Sequence, residues 1–290
     1  MSRETTLVEP TIARSVEAAR TAVGAAREAG QRIGLVPTMG ALHEGHLSLI
    51  DHARHSCDFV VVTIFVNPTQ FGPRDDFSRY PRTWEADLEF IRERRSQLVF
   101  APSAEEMYSA CHSTVVRPPK VAETLEGEFR PGHFTGVTTV VLKLMQIVAA
   151  DVAFFGEKDF QQCLVIRDMV RDLNVPVEVN CCPTIREPDG LAMSSRNQYL
   201  SPDDRQQALS LNRGLELAKS MVARGEREVS AIEAAVRACI EASGAGSIDY
   251  VAIRDSDQLG FMDVLDRPAV LLLAVHVGSA RLIDNTRLDV

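Results

Sequence analysis

Over roughly the first 180 residues, short apolar runs alternate with longer stretches in which apolar side chains recur every three or four positions. The runs 33–38, 59–66, 98–101, 152–155 and 177–180 have the length and β-branched content of buried strands. The stretches 46–56, 84–95, 136–149 and 159–173 have helical spacing. This alternation predicts an α/β fold, a Rossmann-like parallel sheet with helices on both faces. Segment 136–148 is rich in Val and Thr, as a strand would be, but its length and its single flanking glycine favour a buried helix. A wall of valines from it would suit an apolar part of a substrate, although plain core packing accounts for most of them.

From Pro183 the pattern changes. A polar, turn-rich stretch leads into two Ala- and Arg-rich helical segments at 203–224 and 228–242, and two strands, 248–254 and 269–277, close the chain. The expected division is therefore residues 1–184, a Rossmann-like domain, and residues 185–290, a smaller α+β domain. There is no internal repeat or low-complexity tract.

Ligands of open α/β sheets sit at the carboxyl ends of the strands, and two strand ends here carry unusual residues. After 33–38 comes Met39-Gly40-Ala41-Leu42-His43-Glu44-Gly45-His46, and after 152–155 comes Gly156-Glu157-Lys158-Asp159. The first turn feeds a helix whose unpaired N–H groups and positive dipole end favour an anion, and Gly40 and Gly45 have no Cβ to hold a phosphate away. His43 and His46, three residues apart, lie about 60° apart around a helix axis and can face one ligand. The dipole disfavours their protonation, so neutral rings can donate to a phosphate oxygen. A histidine at a helix start also serves simply as a cap or surface residue, and that reading stays open for either ring. Zinc is disfavoured, because His52 and His55 lie about 240° and 180° from His46 on the same helix.

Charge and cysteine usage narrow the function classes. A formal net charge of −9 argues against general attraction to a nucleic-acid backbone, so a small substrate is expected. The six cysteines include no CxxC pair, and adjacent Cys181 and Cys182 suit neither a disulfide nor zinc, so reduced thiols are expected. Arg3, Glu4 and Glu9 stand where a signal peptide would need an apolar core, and no apolar run approaches membrane-spanning length. The expected compartment is the cytoplasm, with no membrane partner.

His43-Glu44-Gly45-His46 resembles the HxGH signature of the nucleotidyltransferase superfamily. The longer set is far more specific: Phe65-Val66-Asn67-Pro68-Thr69-Gln70-Phe71, Tyr80-Pro81-Arg82-Thr83, Phe129-Arg130-Pro131-Gly132-His133-Phe134, Gly156-Glu157-Lys158-Asp159 and Asp189 through Asn197. In this order the motifs resemble the pantothenate synthetase family over about residues 30–200, and the remainder is similar in length and pattern to that family's C-terminal domain.

The resemblance implies that pantoate and ATP give pantoyl adenylate and pyrophosphate, and that β-alanine then displaces AMP to form an amide. It implies that His43, His46, Lys158, Ser194, Ser195 and Arg196 are catalytic, with Met-Ser-Ser-Arg standing where related enzymes have a flexible KMSKS-type loop. Gln70 and Gln162 would bind the polar groups of pantoate, with Pro37, Met39 and Phe65 lining its apolar side. Met39, Gly40, Gly45, Gly156, Glu157, Asp159 and Met193 would join the catalytic residues around ATP. Asp87 would be a magnesium-linked aspartate, although beside Glu85 it reads equally as a helix-surface charge. A homodimer is implied, with residues 185–290 closing over the site; Arg130 reads as an interface or substrate-anchor position.

Without the resemblance, Lys158 would read as a solvated surface lysine and Ser194 to Asn197 as an ordinary turn. Two other function classes compete. A transferase of AMP to a phosphorylated precursor would need extra basic residues where Gln70 and Gln162 stand. A non-catalytic nucleotide sensor on the same fold could have dispensed with Lys158 or the serine loop.

Overall fold

The computed structural model describes residues 9–73 and 75–289. The expectation about the first residues, Arg3 and Glu4 among them, lies outside this range. Two compact units form: residues up to Glu157 with Val165–Pro183, and Lys158–Leu164 with residues from Thr184 onward.

The first unit is built on a six-stranded, all-parallel sheet. Its strands are β1 (Thr11–Ala13), β2 (Ile33–Thr38), β3 (Phe59–Ile64), β4 (Leu98–Phe100), β5 (Val152–Gly156) and β6 (Glu178–Cys182), in the spatial order β1-β4-β3-β2-β5-β6. The helices are α1 (Val16–Glu28), α2 (Glu44–Ser56), α3 (Trp84–Glu93), the single turns α4 (Ala104–Met107) and α5 (Glu126–Phe129), and α6 (His133–Val148). The next helix, α7 (Phe160–Asp172), has its first residues in the second unit and the rest in the first. The expected Rossmann-like α/β class is the one observed.

Both faces of the sheet are covered. Val36, Val60, Val62, Val99, Val152 and Phe154 share a core with Leu47, Ile50 and Ala53 of α2 and Ile91 of α3. Ile33 and Leu35, fully buried, point the other way along β2, where α1 and α6 pack against that strand and each other. Chain order runs outward from β2 through β3 and β4, then returns to β5 on the other side, so the switch point lies between β2 and β5. The segment rich in Val and Thr is indeed helical: α6 is buried on nearly every side, and length outweighed β-branching.

In the second unit β7 (Ile248–Asp255), β8 (Ala269–Val277) and β9 (Ala280–Leu288) form an antiparallel sheet in sequential order. Leu211, Leu215 and Ala218 of α8 (Pro202–Ala223) and Ile232, Val236 and Ile240 of α9 (Val229–Glu241) share a core with Val251, Leu271, Leu273 and Leu282. Ser201 and Asp204 close α8 with a reciprocal capping box.

Besides the single turns α4 and α5, three elements depart from the expected set. α1 and β1 precede the first expected strand, and a third strand follows the two expected to close the chain. β1 has only three residues, and α1 buries only Ala19, Val23 and Ala26, too faint an apolar stripe to stand out. β9 reads as polar because its core-facing series includes Asp284.

One close approach fixes how α6 meets the loop after β3. A Cβ on Gly136 would lie 2.5 Å from the Thr69 carbonyl oxygen and 2.6 Å from the Gln70 nitrogen. Gly136→Ala is expected to displace the 68–70 turn and lower stability by about 1–3 kcal/mol, read from the urea midpoint. An unchanged midpoint would show that the backbones do not meet there.

Candidate active site

The HxGH turn begins where β2 and β3 end level with each other, Thr38 being in register with Ile64. Gly40 and Ala41 both take positive φ, +80° and +51°, and turn the chain sharply. A buried carboxylate holds this turn. Asp87, on the first turn of α3 and 1% exposed, accepts from Ala41 N (3.0 Å), Leu42 N (2.8 Å) and Thr83 Oγ1 (3.1 Å). A Cβ on Gly40 would come within 3.0 Å of Asp87 Oδ2 and 3.1 Å of Ile64, so glycine is needed for contact as well as for φ.

His43 is the N-cap of α2. Its Nδ1 accepts from Gly45 N at 3.2 Å, and its carbonyl accepts from His46 N (2.8 Å) and Leu47 N (3.0 Å). An imidazolium has no lone pair at Nδ1, so the cap requires a neutral ring with its proton on Nε2. The His46 ring lies 4.1 Å from it, centroid to centroid. The two rings therefore meet, as their spacing predicts. The expectation of open N–H groups needs correction: those of Ala41, Leu42, Gly45, His46 and Leu47 are already engaged, two of them by the chain's own Asp87.

Asp87, expected to be magnesium-linked, is tied to this loop through both its oxygens. Among the described residues, no group of three or more His, Cys, Asp or Glu side chains could hold a metal ion.

Four of the side chains expected around pantoate, all in the first unit, gather beside the same strand ends. Gln70 Nε2 lies 3.4 Å from Met39 Sδ. Phe65 is buried, its N–H donating to the Thr38 carbonyl at 3.1 Å, and Pro37 is half-buried within β2. Sequence reasoning missed what orients Gln70. Asn67, 1% exposed, donates to Gln70 Oε1 at 3.0 Å and to the Gly136 carbonyl at 3.3 Å. Asn67 Oδ1 in turn accepts from Tyr108 OH (2.8 Å) and Thr69 Oγ1 (3.0 Å). With its side-chain carbonyl so engaged, Gln70 directs its NH₂ end toward Met39. Asn67 lies in the quoted motif, but only packing reveals that its amide is aimed at Gln70.

Arg130 belongs to the support of this loop. It bonds to Asp75 (3.0 Å) and His133 Nε2 (3.2 Å), while His133 Nδ1 reaches the Gln70 carbonyl at 2.9 Å. Burial pushes the Asp75 carboxyl up, but the Gly72 N–H and the Arg130 guanidinium outweigh it and hold it below the ordinary carboxylate range.

In the other expected segments, Gly156 ends β5, and among the described residues a Cβ there would meet nothing within 4 Å beyond its chain neighbours. Glu157, Lys158 and Asp159 form the following turn, and half-buried Gln162 stands at the start of α7. Met193 N donates to the Ile185 carbonyl (2.9 Å), and Ser194 caps the 195–199 turn through Arg196 N (3.3 Å). Asn197 anchors that turn to Glu187 (2.7 Å), which Arg205 holds at 2.6 Å.

A family model described as pantoate-beta-alanine ligase matches residues 11–287. The chain belongs to the pantoate–β-alanine ligase family. It is 53% identical to a pantothenate synthetase of Moorella thermoacetica, over 95% of this chain and 98% of that one. It is 51% identical to pantothenate synthetase 1 of Bradyrhizobium diazoefficiens, over 93% and 95%. Among solved structures, the pantothenate synthetase of Thermus thermophilus superposes with a TM-score of 0.91 at 42% identity, over 95% of this chain and 98% of that one. A Francisella tularensis pantoate-beta-alanine ligase complexed with beta-gamma ATP and β-alanine superposes at 0.79 and 34% identity, over 96% and 97%.

Asp87→Ala is expected to leave two buried N–H groups unsatisfied at about 1–3 kcal/mol each, seen as a lower denaturation midpoint, with the apparent magnesium requirement of turnover unchanged. A large rise in that requirement without loss of stability would give Asp87 the magnesium-linked role instead.

Proposed function

We propose that this ligase condenses pantoate with β-alanine in two steps at one site, using magnesium-ATP and releasing AMP and pyrophosphate on the way to pantothenate, a precursor of coenzyme A. The family match over residues 11–287 carries the reading, and the neutral, capped His43 beside His46 supports its first step. A pantoate carboxylate, with a reference pKa of about 4, is ionised at neutral pH and needs no base. Its oxygen attacks the α-phosphorus in line as the bond to the β-phosphate bridging oxygen breaks and pyrophosphate departs. The amine of β-alanine then attacks the acyl carbon, and AMP leaves as the amide forms.

What the protein must supply is alignment and charge neutralisation. His43, through Nε2–H, and His46 take phosphate oxygens, with Met39, Gly40 and Gly45 shaping the turn beneath them. Lys158 neutralises the α-phosphate. Met193, Ser194, Ser195 and Arg196 form the loop on the triphosphate. Gly156, Glu157 and Asp159 lie along the nucleoside. Gln70, aimed by Asn67, and Gln162 hold the polar groups of pantoate against Pro37, Met39 and Phe65. Magnesium arrives as part of the nucleotide substrate, held by phosphate oxygens and water.

The reading includes a homodimer and no nucleic-acid partner, the net charge of −9 supporting the latter. It places the enzyme in the cytoplasm, where its six free thiols would stay reduced. Burial pushes the Cys182 thiol up to about 11, which makes it a poor nucleophile. Among the described residues, no helix is long and apolar enough to cross a membrane.

Pyrophosphate exchange tests the order of events. With pantoate and magnesium-ATP present and β-alanine absent, labelled pyrophosphate should enter ATP, and omitting pantoate should abolish this. Release of ADP and phosphate would instead indicate an acyl phosphate. Lys158→Ala should depress exchange by about 3–4 kcal/mol of transition-state stabilisation while the protein stays folded; near-normal exchange would remove Lys158 from the chemistry. Gln70→Leu should raise the pantoate requirement at a cost of about 1–3 kcal/mol and spare ATP. Weakened ATP binding with pantoate unchanged would put Gln70 in the other subsite.

A further inference from the structure

β9 carries two adjacent polar residues that are both buried, Asp284 (3% exposed) and Asn285 (8%). Successive residues of a strand point to opposite faces, so the pair reaches in two directions. On the core-facing side, in series with Ala280, Leu282 and Leu288, Asp284 meets Arg186 in a bidentate pair at 2.7 and 2.9 Å. A buried carboxylate is expensive without such a partner. Arg186 also donates to the Gly190 carbonyl at 3.1 Å and stands opposite Ala192 in an antiparallel bridge, so the pair fixes the hairpin leading into Met193–Arg196. β9 also packs against the 195–199 turn.

On the other side, Asn285 Nδ2 donates to the backbone carbonyl of Lys158 at 2.8 Å. Two residues along the same face, the Arg287 guanidinium lies over the Phe160 ring at 5.0 Å. The outward face of β9 thus grips the turn carrying Lys158, while its inward face grips the hairpin before the serine loop.

We propose that Asp284 and Asn285 are positioning residues for adenylation, one strand setting the placement of Lys158 and of Ser194–Arg196 together. The inference rests on the reading that Lys158 and Ser194–Arg196 bind the phosphates. Neither polar residue is required by the core: leucine would serve at 284 and a β-branched residue at 285. Each has instead a directional bond, Asn285 to the Lys158 carbonyl and Asp284 to Arg186 of the hairpin that leads into Met193–Arg196.

A double-mutant cycle on the full chain, read by pyrophosphate exchange, tests it. Asn285→Asp keeps the shape and replaces the donor by an oxygen facing the Lys158 carbonyl. The maximal exchange rate should fall about 10- to 100-fold, with the pantoate KM unchanged and the melting curve still cooperative. In the Lys158→Ala background the same substitution should change the rate less than about threefold, because the group it positions is gone. Asn285→Ala removes the donor without adding a charge and gives the same readout if the carboxylate variant melts early. Asp284→Asn, which weakens the pair with Arg186, should act mainly on the ATP KM. Equal fold-losses of Asn285→Asp in both backgrounds would mean a structural role only and overturn the proposal, as would wild-type exchange by Asn285→Asp and Asn285→Ala. Normal exchange by Lys158→Ala would overturn the reading beneath it.

Discussion

The Asp87 carboxylate takes the N–H groups of two consecutive residues, Ala41 and Leu42, just after a turn with two positive φ values. A buried anion on α3 thereby does for the loop after β2 what a bound phosphate does in many strand-to-helix turns. Desolvating the charge costs free energy, and three donors recover it. The consequences run down the chain: the turn is closed, His43 falls at the N-cap of α2, its Nδ1 is taken by Gly45, and its ring proton sits on Nε2, beside His46.

The subsite next to it follows the same logic with neutral groups. Gln70 could present either end of its amide, and Asn67 decides which by holding Oε1, while Tyr108, Thr69 and the Gly136 carbonyl fix Asn67. Such a network selects one orientation because every alternative leaves a buried polar atom without its bond. Gly136 belongs to it through contact distance as well, since any larger residue would push the turn away. Arg130 and His133 tie down the far side of that loop.

The second unit uses strand alternation for a comparable end. β9 has too few apolar residues to advertise itself, because two of its positions hold polar groups that serve Arg186 and the Lys158 carbonyl. A bidentate Arg–carboxylate pair resists displacement in two directions at once, and Glu187 and Arg205 brace the same hairpin on the Asn197 side.

Much of this protein was legible along the chain. Runs such as 33–38 and 269–277 are apolar and β-branched throughout, so their burial in strands follows from composition, and the all-parallel sheet follows from the alternation of such runs with helical stretches in the first 180 residues. The family motifs marked the segments proposed to carry charge and hydrogen bonds to a substrate, and the family itself is the one the chain matches over residues 11–287. What the chain alone left open were pairings between residues far apart in sequence: Asp87 with Ala41, Asn67 with Gly136, Asn285 with Lys158. Periodicity reports which side of an element is apolar and is silent about the partner of a polar group. The grip of Asp87 on the turn after β2 could therefore be missed, and β9 overlooked, until the fold brought their partners within hydrogen-bond distance.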